Sequence, residues 1–179
     1  MEGPLVTVIM PVYNSEMYVK EALESILRQT YPDMEIIVVD DGSTDRSIEL
    51  IREYRDSRLR LIRNGKNMGI PFTRNAGLAV ATGKYIAFMD ADDYAYPQRI
   101  ERQVRFLESH GEIDAVGSYY IKFDGKREKR VASPFTSPEE IKAMLLFYNP
   151  IANASVMARR STFLKHGLKY DLRFFIAQD

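Results

Sequence analysis

Two apolar runs that stop at clusters of carboxylates constrain this chain most. Met34 to Val39 is a continuous, β-branched stretch that ends in Asp40-Asp41-Gly42, and Tyr85 to Met89 runs directly into Asp90-Ala91-Asp92-Asp93. Neither shows the polar alternation of a strand with one wet face, so both read as strands covered on two sides, as in a parallel sheet. Leu5 to Met10 is a third such run, ended by Pro11. Between it and Met34, residues Val19, Ala22, Leu23, Ile26 and Leu27 recur at i, i+3, i+4, i+7 and i+8, the stripe of a helix lying on a sheet. Strand, helix and strand make a βαβ unit, and in sheets built from such units ligands bind beyond the carboxyl ends of the strands. Both acidic clusters are therefore expected on one rim, where they can share a ligand.

The alternation continues along the chain. Ser43, Thr44 and Asp45 are candidate helix caps ahead of a face made by Ile48, Ile51 and the aliphatic stem of Arg55, and a short strand is expected at Leu59 to Ile62. Asn64-Gly65 and Asn67-Met68-Gly69 mark a loop, and Pro71 suits the first turn of a helix with a small-residue face of Ala76, Ala79 and Val80. Pro97 opens a helix carrying Ile100, Val104 and Leu107. Ala115 to Phe123 reads as one strand, turned at Asp124-Gly125 into the basic segment Lys126 to Arg130, a hairpin that is a solvated face or a contact for an anionic acceptor or membrane surface. Ser137-Pro138-Glu139-Glu140 carries a capping box, with Ile141, Leu145 and Phe147 as the apolar residues behind it. A strand at Ser155 to Met157 and a helix near Ser161 to His166 complete the pattern. The expected class is α/β: a three-layer α/β/α sandwich around a mostly parallel, mixed sheet, with an appended hairpin.

Composition narrows the functions. The 179 residues, 45% hydrophobic and 28% charged, suit one domain spanning 1–179 that needs no disulfide or structural metal for its core. Lys+Arg and Asp+Glu are both 25, so the general electrostatic footprint of a nucleic-acid binder is missing. Cysteine is absent, which excludes thiolate metal sites and a Cys nucleophile and leaves oxygen or imidazole to hold any metal. The amino terminus has no basic n-region, and Val6 to Val12 is far shorter than the ~20 residues of a membrane span. Neither a signal peptide nor a transmembrane segment is expected, and the location is read as cytoplasmic, with the sequon Asn153-Ala154-Ser155 fortuitous.

Asp90, Asp92 and Asp93 would repel one another and raise one another's pKa unless a cation is bound. Oxygen ligands on a loop suit Mg2+ or Mn2+, which keep positions open for water and for nucleotide phosphates. An acidic turn that caps the helix after Pro97 is the structural alternative. Asp41, in Asp40-Asp41-Gly42-Ser43, is placed to accept from a ribose or a base N–H, although Asp, Gly and Ser also serve a plain turn and cap. Arg74 and Asn75 are candidates to meet a phosphate, with an exposed Arg as the alternative. His110 and His166 sit near expected helix ends without metal-ligand spacing and receive no catalytic role.

The segment VTVIMPVYNSEMYVKEALESILRQTYPDMEIIVVDDGSTD, followed by NMGIPFTRNAGLAVATGKYIAFMDADD, closely resembles the glycosyltransferase family 2 type of nucleotide-sugar transferases. That resemblance implies a GT-A fold and inverting transfer from a nucleotide-diphospho-sugar, a UDP-sugar first among the donors, with Mn2+ or Mg2+ as cofactor. It implies that Pro11, Tyr13 and Asp41 line the nucleoside pocket with Asp41 reaching the base. It implies too that Asp90 and Asp92 form the DxD, that Asp92 ligates the metal with help from Asp93, and that Arg74 lies near the donor. A late carboxylate acts as general base in such enzymes, which makes Asp179, in the ending IAQD, the candidate. Residues 1–93 would be the donor half and 94–179 the acceptor half. Members usually continue further, so the chain reads as a truncated catalytic domain, and Asn153 stands where members often carry a His. The acceptor would be a glycan or a lipid-linked sugar, in polysaccharide or surface-glycan assembly, with peripheral contact at the inner face of a membrane.

Other classes compete. A nucleotide-sugar-binding module without turnover would share the same clusters. A receiver-type domain also collects carboxylates at strand ends, but the Pro-Val-Tyr-Asn loop fits it poorly. A dinucleotide oxidoreductase lacks its G-x-G-x-x-G after the first strand.

Overall fold

Val6 lies opposite Met34 and Val12 opposite Asp40, so the first two strands run parallel over their whole length and deliver their carboxyl ends to the same edge. The computed structural model describes residues 3–123, 128–131 and 133–174. In chain order the described elements are β1 (Val6–Val12), α1 (Val19–Leu27), β2 (Met34–Asp40), α2 (Ser47–Arg52), β3 (Leu59–Arg63), α3 (Ile70–Val80), β4 (Tyr85–Phe88), α4 (Arg99–Ser109), β5 (Ala115–Val116), β6 (Tyr120–Phe123), β7 (Glu128–Val131), α5 (Pro138–Met144), β8 (Met157–Arg159) and α6 (Arg160–His166). The main sheet has the order β3-β2-β1-β4-β8-β5, with the first four strands parallel and β8 antiparallel to both its neighbours. It is the expected mixed α/β sheet.

Burial follows the alternation of side chains along each strand. Val8, Met10, Ile36 and Val38 face one side, where they bury Leu23 and Ile26 of α1 and Ile100 and Leu107 of α4. Ile9, Ile37, Val39, Ile86 and Phe88 face the other, against α3 and Phe163 of α6. The two layers of helix are thus fixed by which residues are apolar on both strand faces. α3 lies unusually close to the sheet, since a Cβ on Gly77 would fall 2.5 Å from Cγ2 of Ile9.

Several local expectations are corrected. Ala115 to Phe123 is not one strand: β5 joins the main sheet beside β8, and β6 pairs only with β7. The break falls at Gly117, which lies against Ile151, and at Ser118, whose N–H donates to Ser155 Oγ at 3.2 Å. The Asp124-Gly125 turn lies outside the described residues. Arg55 is exposed beyond the end of α2, and Tyr54 packs instead, its hydroxyl on Glu24 at 3.0 Å. Ala79 is exposed, and α3 buries Thr73, Arg74 and Gly77. The late strand is Met157–Arg159, not Ser155 to Met157, because Asn153–Ser155 forms a 3-10 turn. The capping box forms, with Ser137 Oγ accepting from Glu140 N, yet α5 buries none of its residues, and Leu145 and Phe147 are exposed. No described helix is long and apolar enough to cross a membrane.

Candidate functional site

Because β1 lies between β2 and β4 in the sheet, the end of β1 separates the two acidic clusters and places Pro11 and Tyr13 between them. Pro11 is half-buried in β1, and Tyr13, just beyond it, is 47% exposed.

On the β2 side the two aspartates divide their work. Asp40 is fully buried and spent on the framework: its carboxylate accepts from Ser43 N at 3.1 Å and from Arg63 Nε at 3.3 Å. Asp41 is held against β1, its N–H donating to Val12 O at 2.8 Å. Its Oδ1 accepts from Asn64 Nδ2 at 2.7 Å and Met68 N at 2.9 Å, and its Oδ2 from Gly69 N at 2.8 Å. A carboxylate offers about four acceptor positions, so one remains open. Gly42 makes this closure possible: its φ is +77°, and a Cβ there would fall 2.6 Å from the Lys66 carbonyl carbon. Asp-Asp-Gly-Ser is therefore more than a turn and cap, since it anchors the loop that leads into α3.

The opposite wall is stapled to the same turn. Asn14, at φ +47°, donates its N–H to Ser43 Oγ at 3.0 Å and accepts from Thr44 N at 2.9 Å. Ser15 N donates to Ser47 Oγ, Glu16 N to Asp45 Oδ2, and Arg46 N to Glu16 Oε2. Asp45 also accepts from Ser47 N at 3.0 Å, but the N-cap of α2 is Arg46, without a side-chain cap bond, so the expected cap by Ser43, Thr44 or Asp45 is corrected.

On the β4 side, Asp90, Asp92 and Asp93 follow the strand within one turn, closed by Asp93 N on Asp90 O at 3.2 Å. Asp90 accepts from Arg74 Nη2 at 3.1 Å. Asp92 is exposed and meets no donor among the described residues. Asp93 keeps an edge in solvent, but desolvation, followed by the charges of Asp90 and Asp92, pushes its carboxyl up to about 6 against the opposing pull of Arg99. Arg99 is itself pushed down to about 10 by burial, with Asp93 and Asp90 working the other way. Its Nη2 donates to Phe88 O at 2.8 Å, fixing the strand end beneath the acidic turn. Sequence reasoning missed Arg99, although an Arg at the start of the helix after Pro97 was the available signal.

Arg74 is buried, not exposed, with 5% of its side chain in solvent. The Asn153 amide sets its oxygen toward the guanidinium, 2.7 Å from Nη2 and 2.8 Å from Nη1, and its nitrogen donates to the Tyr170 hydroxyl at 3.1 Å. The Tyr170 ring covers the guanidinium at 5.3 Å. Asn75 is committed to the backbone of Tyr170, donating to its carbonyl at 2.8 Å and accepting from its N–H at 2.9 Å. Asp179 lies outside the described residues, as do Lys126 and Arg127 of the basic segment. His110 follows the end of α4, stacked on Phe106 at 4.2 Å, and His166 ends α6.

Among the described residues no three His, Asp or Glu side chains converge into a ready-made metal cage. Mg2+ and Mn2+ sites on nucleotide enzymes need no such cage, because one or two carboxylates are completed by water and substrate phosphates. An exposed, unpartnered Asp92 with Asp90 and Asp93 close enough to perturb one another is a donor set of that kind.

The model of the family described as "Glycosyl transferase family 2" matches residues 7–168. The chain belongs to that family. It is 36% identical over 157 residues to the Escherichia coli UDP-Glc:alpha-D-GlcNAc-diphosphoundecaprenol beta-1,3-glucosyltransferase WfaP, covering 87% of this chain and 61% of WfaP. The structure of S. aureus TarS 1-349 in complex with UDP superposes with a TM-score of 0.82 at 26% identity, covering 97% of this chain and 52% of that one. The Pyrobaculum calidifontis mannosyltransferase PcManGT, solved with GDP-Man and Mn2+, shares the fold with a TM-score of 0.71 at 24% identity, covering 95% and 48%. This family 2 chain spans little more than half the length of the curated relatives it matches.

Proposed function

We propose that this domain transfers a sugar, with inversion, from a nucleotide-diphospho-sugar to an acceptor hydroxyl. The observation that carries the reading is the placement of an anchored Asp41 and an unpartnered Asp92 on either side of the β1 end, one suited to a nucleoside and the other to a cation on its diphosphate. Pro11 and Tyr13 would flank the nucleoside, and the open acceptor position of Asp41 would take a base N–H. Asp92, with Asp90 and Asp93, would hold Mn2+ or Mg2+, which supplies charge stabilisation to the departing diphosphate. Arg74 would hold Asp90 in place, and Asp179 would take the proton of the acceptor hydroxyl on the face opposite the leaving group. Residues 1–93 serve the donor and 94–179 the acceptor.

UDP bound in TarS and UDP-Glc in the name of WfaP favour a uridine donor, with guanosine as the other arm because PcManGT holds GDP-Man. The diphosphoundecaprenol acceptor of WfaP favours a glycan or lipid-linked acceptor, in surface-glycan assembly at the inner face of a membrane. The test is calorimetry or thermal shift with UDP, GDP, dTDP and NAD, each with and without Mn2+. A Mn2+-dependent response to one nucleoside diphosphate is expected. No response to any of them would return both clusters to structural roles, and binding without turnover in the presence of acceptor would leave a binding module.

A further inference from the structure

A cavity of about 300 Å³ opens between the β6–β7 hairpin and the segment leading to Asn153, lined by Ser118, Tyr120, Ser133, Tyr148, Asn149 and Ala152 among others, and no charged side chain lines it among the described residues. Its two walls are stitched together from behind. Ser155 Oγ accepts from Ser118 N at 3.2 Å and donates to Ala152 O at 2.7 Å, and Gly117 leaves room for Ile151, whose Cγ2 would lie 2.5 Å from a Cβ. The cavity is also tied to the rim. Ala152 lines it, and the next residue, Asn153, faces the guanidinium that holds Asp90.

The lining selects among ligand classes. An anion would find no cationic side chain among the described lining residues, and a lipid tail would strip water from serine hydroxyls and an asparagine amide without replacing those hydrogen bonds. A pyranose ring has apolar C–H faces and a rim of hydroxyls, which two tyrosine rings, two serine hydroxyls and an amide match in kind. The volume stands at the lower end for small-molecule sites and suits a single ring. We propose that this cavity is a subsite for one neutral pyranosyl ring of the acceptor. The assignment rests on the transferase reading above and gives it a substrate class.

Saturation-transfer NMR with neutral methyl glycopyranosides of glucose, galactose and N-acetylglucosamine tests it on the chain as it stands, with glucose 1-phosphate as the anionic comparison. At least one neutral glycoside should bind, should persist when UDP and Mn2+ are present, and should bind roughly tenfold more weakly to Tyr148→Ala, with partial recovery in Tyr148→Phe. Tyr148 is exposed enough for both variants to fold, which their melting curves would verify. Absence of binding by all three glycosides, displacement by UDP and Mn2+, stronger binding of the phosphate, or an unchanged Tyr148→Ala would each overturn the assignment. Failure of UDP and Mn2+ to bind would instead strike the transferase reading, while a Tyr148-dependent glycoside signal would still support the cavity.

Discussion

Arg74 reaches Asp90 across the rim, Nη2 to Oδ1 at 3.1 Å, from a side chain that is only 5% exposed. One of three neighbouring carboxylates is thereby paired by the protein itself, while Asp92 meets no donor among the described residues. The guanidinium is fixed on its other side by the Asn153 oxygen, so a residue of the late segment sets the geometry of a turn near the middle of the chain. Arg74→Ala should cost ~2–3 kcal/mol in urea unfolding, below the full value for breaking a buried pair because Asp90 is about one-third exposed. Asn153→Ala should weaken Mn2+ binding, read by electron paramagnetic resonance, with a smaller loss of stability. Wild-type stability in Arg74→Ala would mean that the pair contributes nothing to the fold.

Asp92→Ala is expected to behave differently. The side chain is exposed and has no partner among the described residues, so its removal should change stability by no more than ~0.5 kcal/mol. The same change should abolish the Mn2+-dependent part of nucleoside diphosphate binding. Retained Mn2+-dependent affinity in calorimetry would move the metal to other ligands.

Asp41→Ala would remove the acceptor of Met68 N, leave Asn64 Nδ2 and Gly69 N with only Thr73 Oγ1 at 3.4 Å and Asn67 Oδ1 at 3.1 Å, and release the loop ahead of α3. The expected cost is ~2–4 kcal/mol, with nucleoside binding weakened even without metal. Gly42→Ala should reproduce the loop effect without touching a carboxylate, since the new Cβ meets Lys66 backbone at 2.6 Å in a left-handed conformation. If Gly42→Ala leaves hydrogen exchange in residues 64–69 unchanged, the turn does not anchor that loop.

A pH dependence is expected at the opposite end of the sheet. Burial alone would raise the Glu35 carboxyl, but hydrogen bonds from Thr7 Oγ1, Thr82 N, Thr82 Oγ1 and Gly83 N together hold it below its ordinary value of 4.5. A carboxylate lowered by folding stabilises the native state fully above its unfolded pKa and loses that contribution as pH falls through the lowered value. Stability should therefore decline below about pH 4.5, and Glu35→Gln should flatten that part of the profile while lowering stability at neutral pH. A Glu35→Gln profile parallel to wild type would assign the acid loss to other carboxylates.

The parallel half of the fold was legible because its strands are apolar on both faces and its helices carry regular stripes, which find β1, α1, β2, β4 and α4, although β1 does not end before Pro11 but runs through it to Val12. Legibility fell where partners are distant in sequence. Nothing local shows that Val116 pairs with Met157, or that the chain breaks at Gly117 because Ile151 lies there. Arg74 and Asp90 were both candidate residues, but their pairing, and the roles of Asn153, Tyr170 and Arg99, depend on long-range contacts that spacing does not encode. Leu145 and Phe147 misled because an apolar stripe marks a face able to pack and not one that is packed: both are exposed.

The antiparallel β8 is inserted between β4 and β5, so the chain returns from its second half to the interior of the sheet. A fragment ending at Asp93 would leave Tyr85, Ile86 and Ala87 with an unpaired strand edge, an open template for aggregation. Swapping halves between relatives is therefore not a matter of cutting after the acidic turn. A chimera with a new second half would have to supply its own strand in register with Tyr85–Ala87, and its own partner for Arg74, before any new specificity could be read.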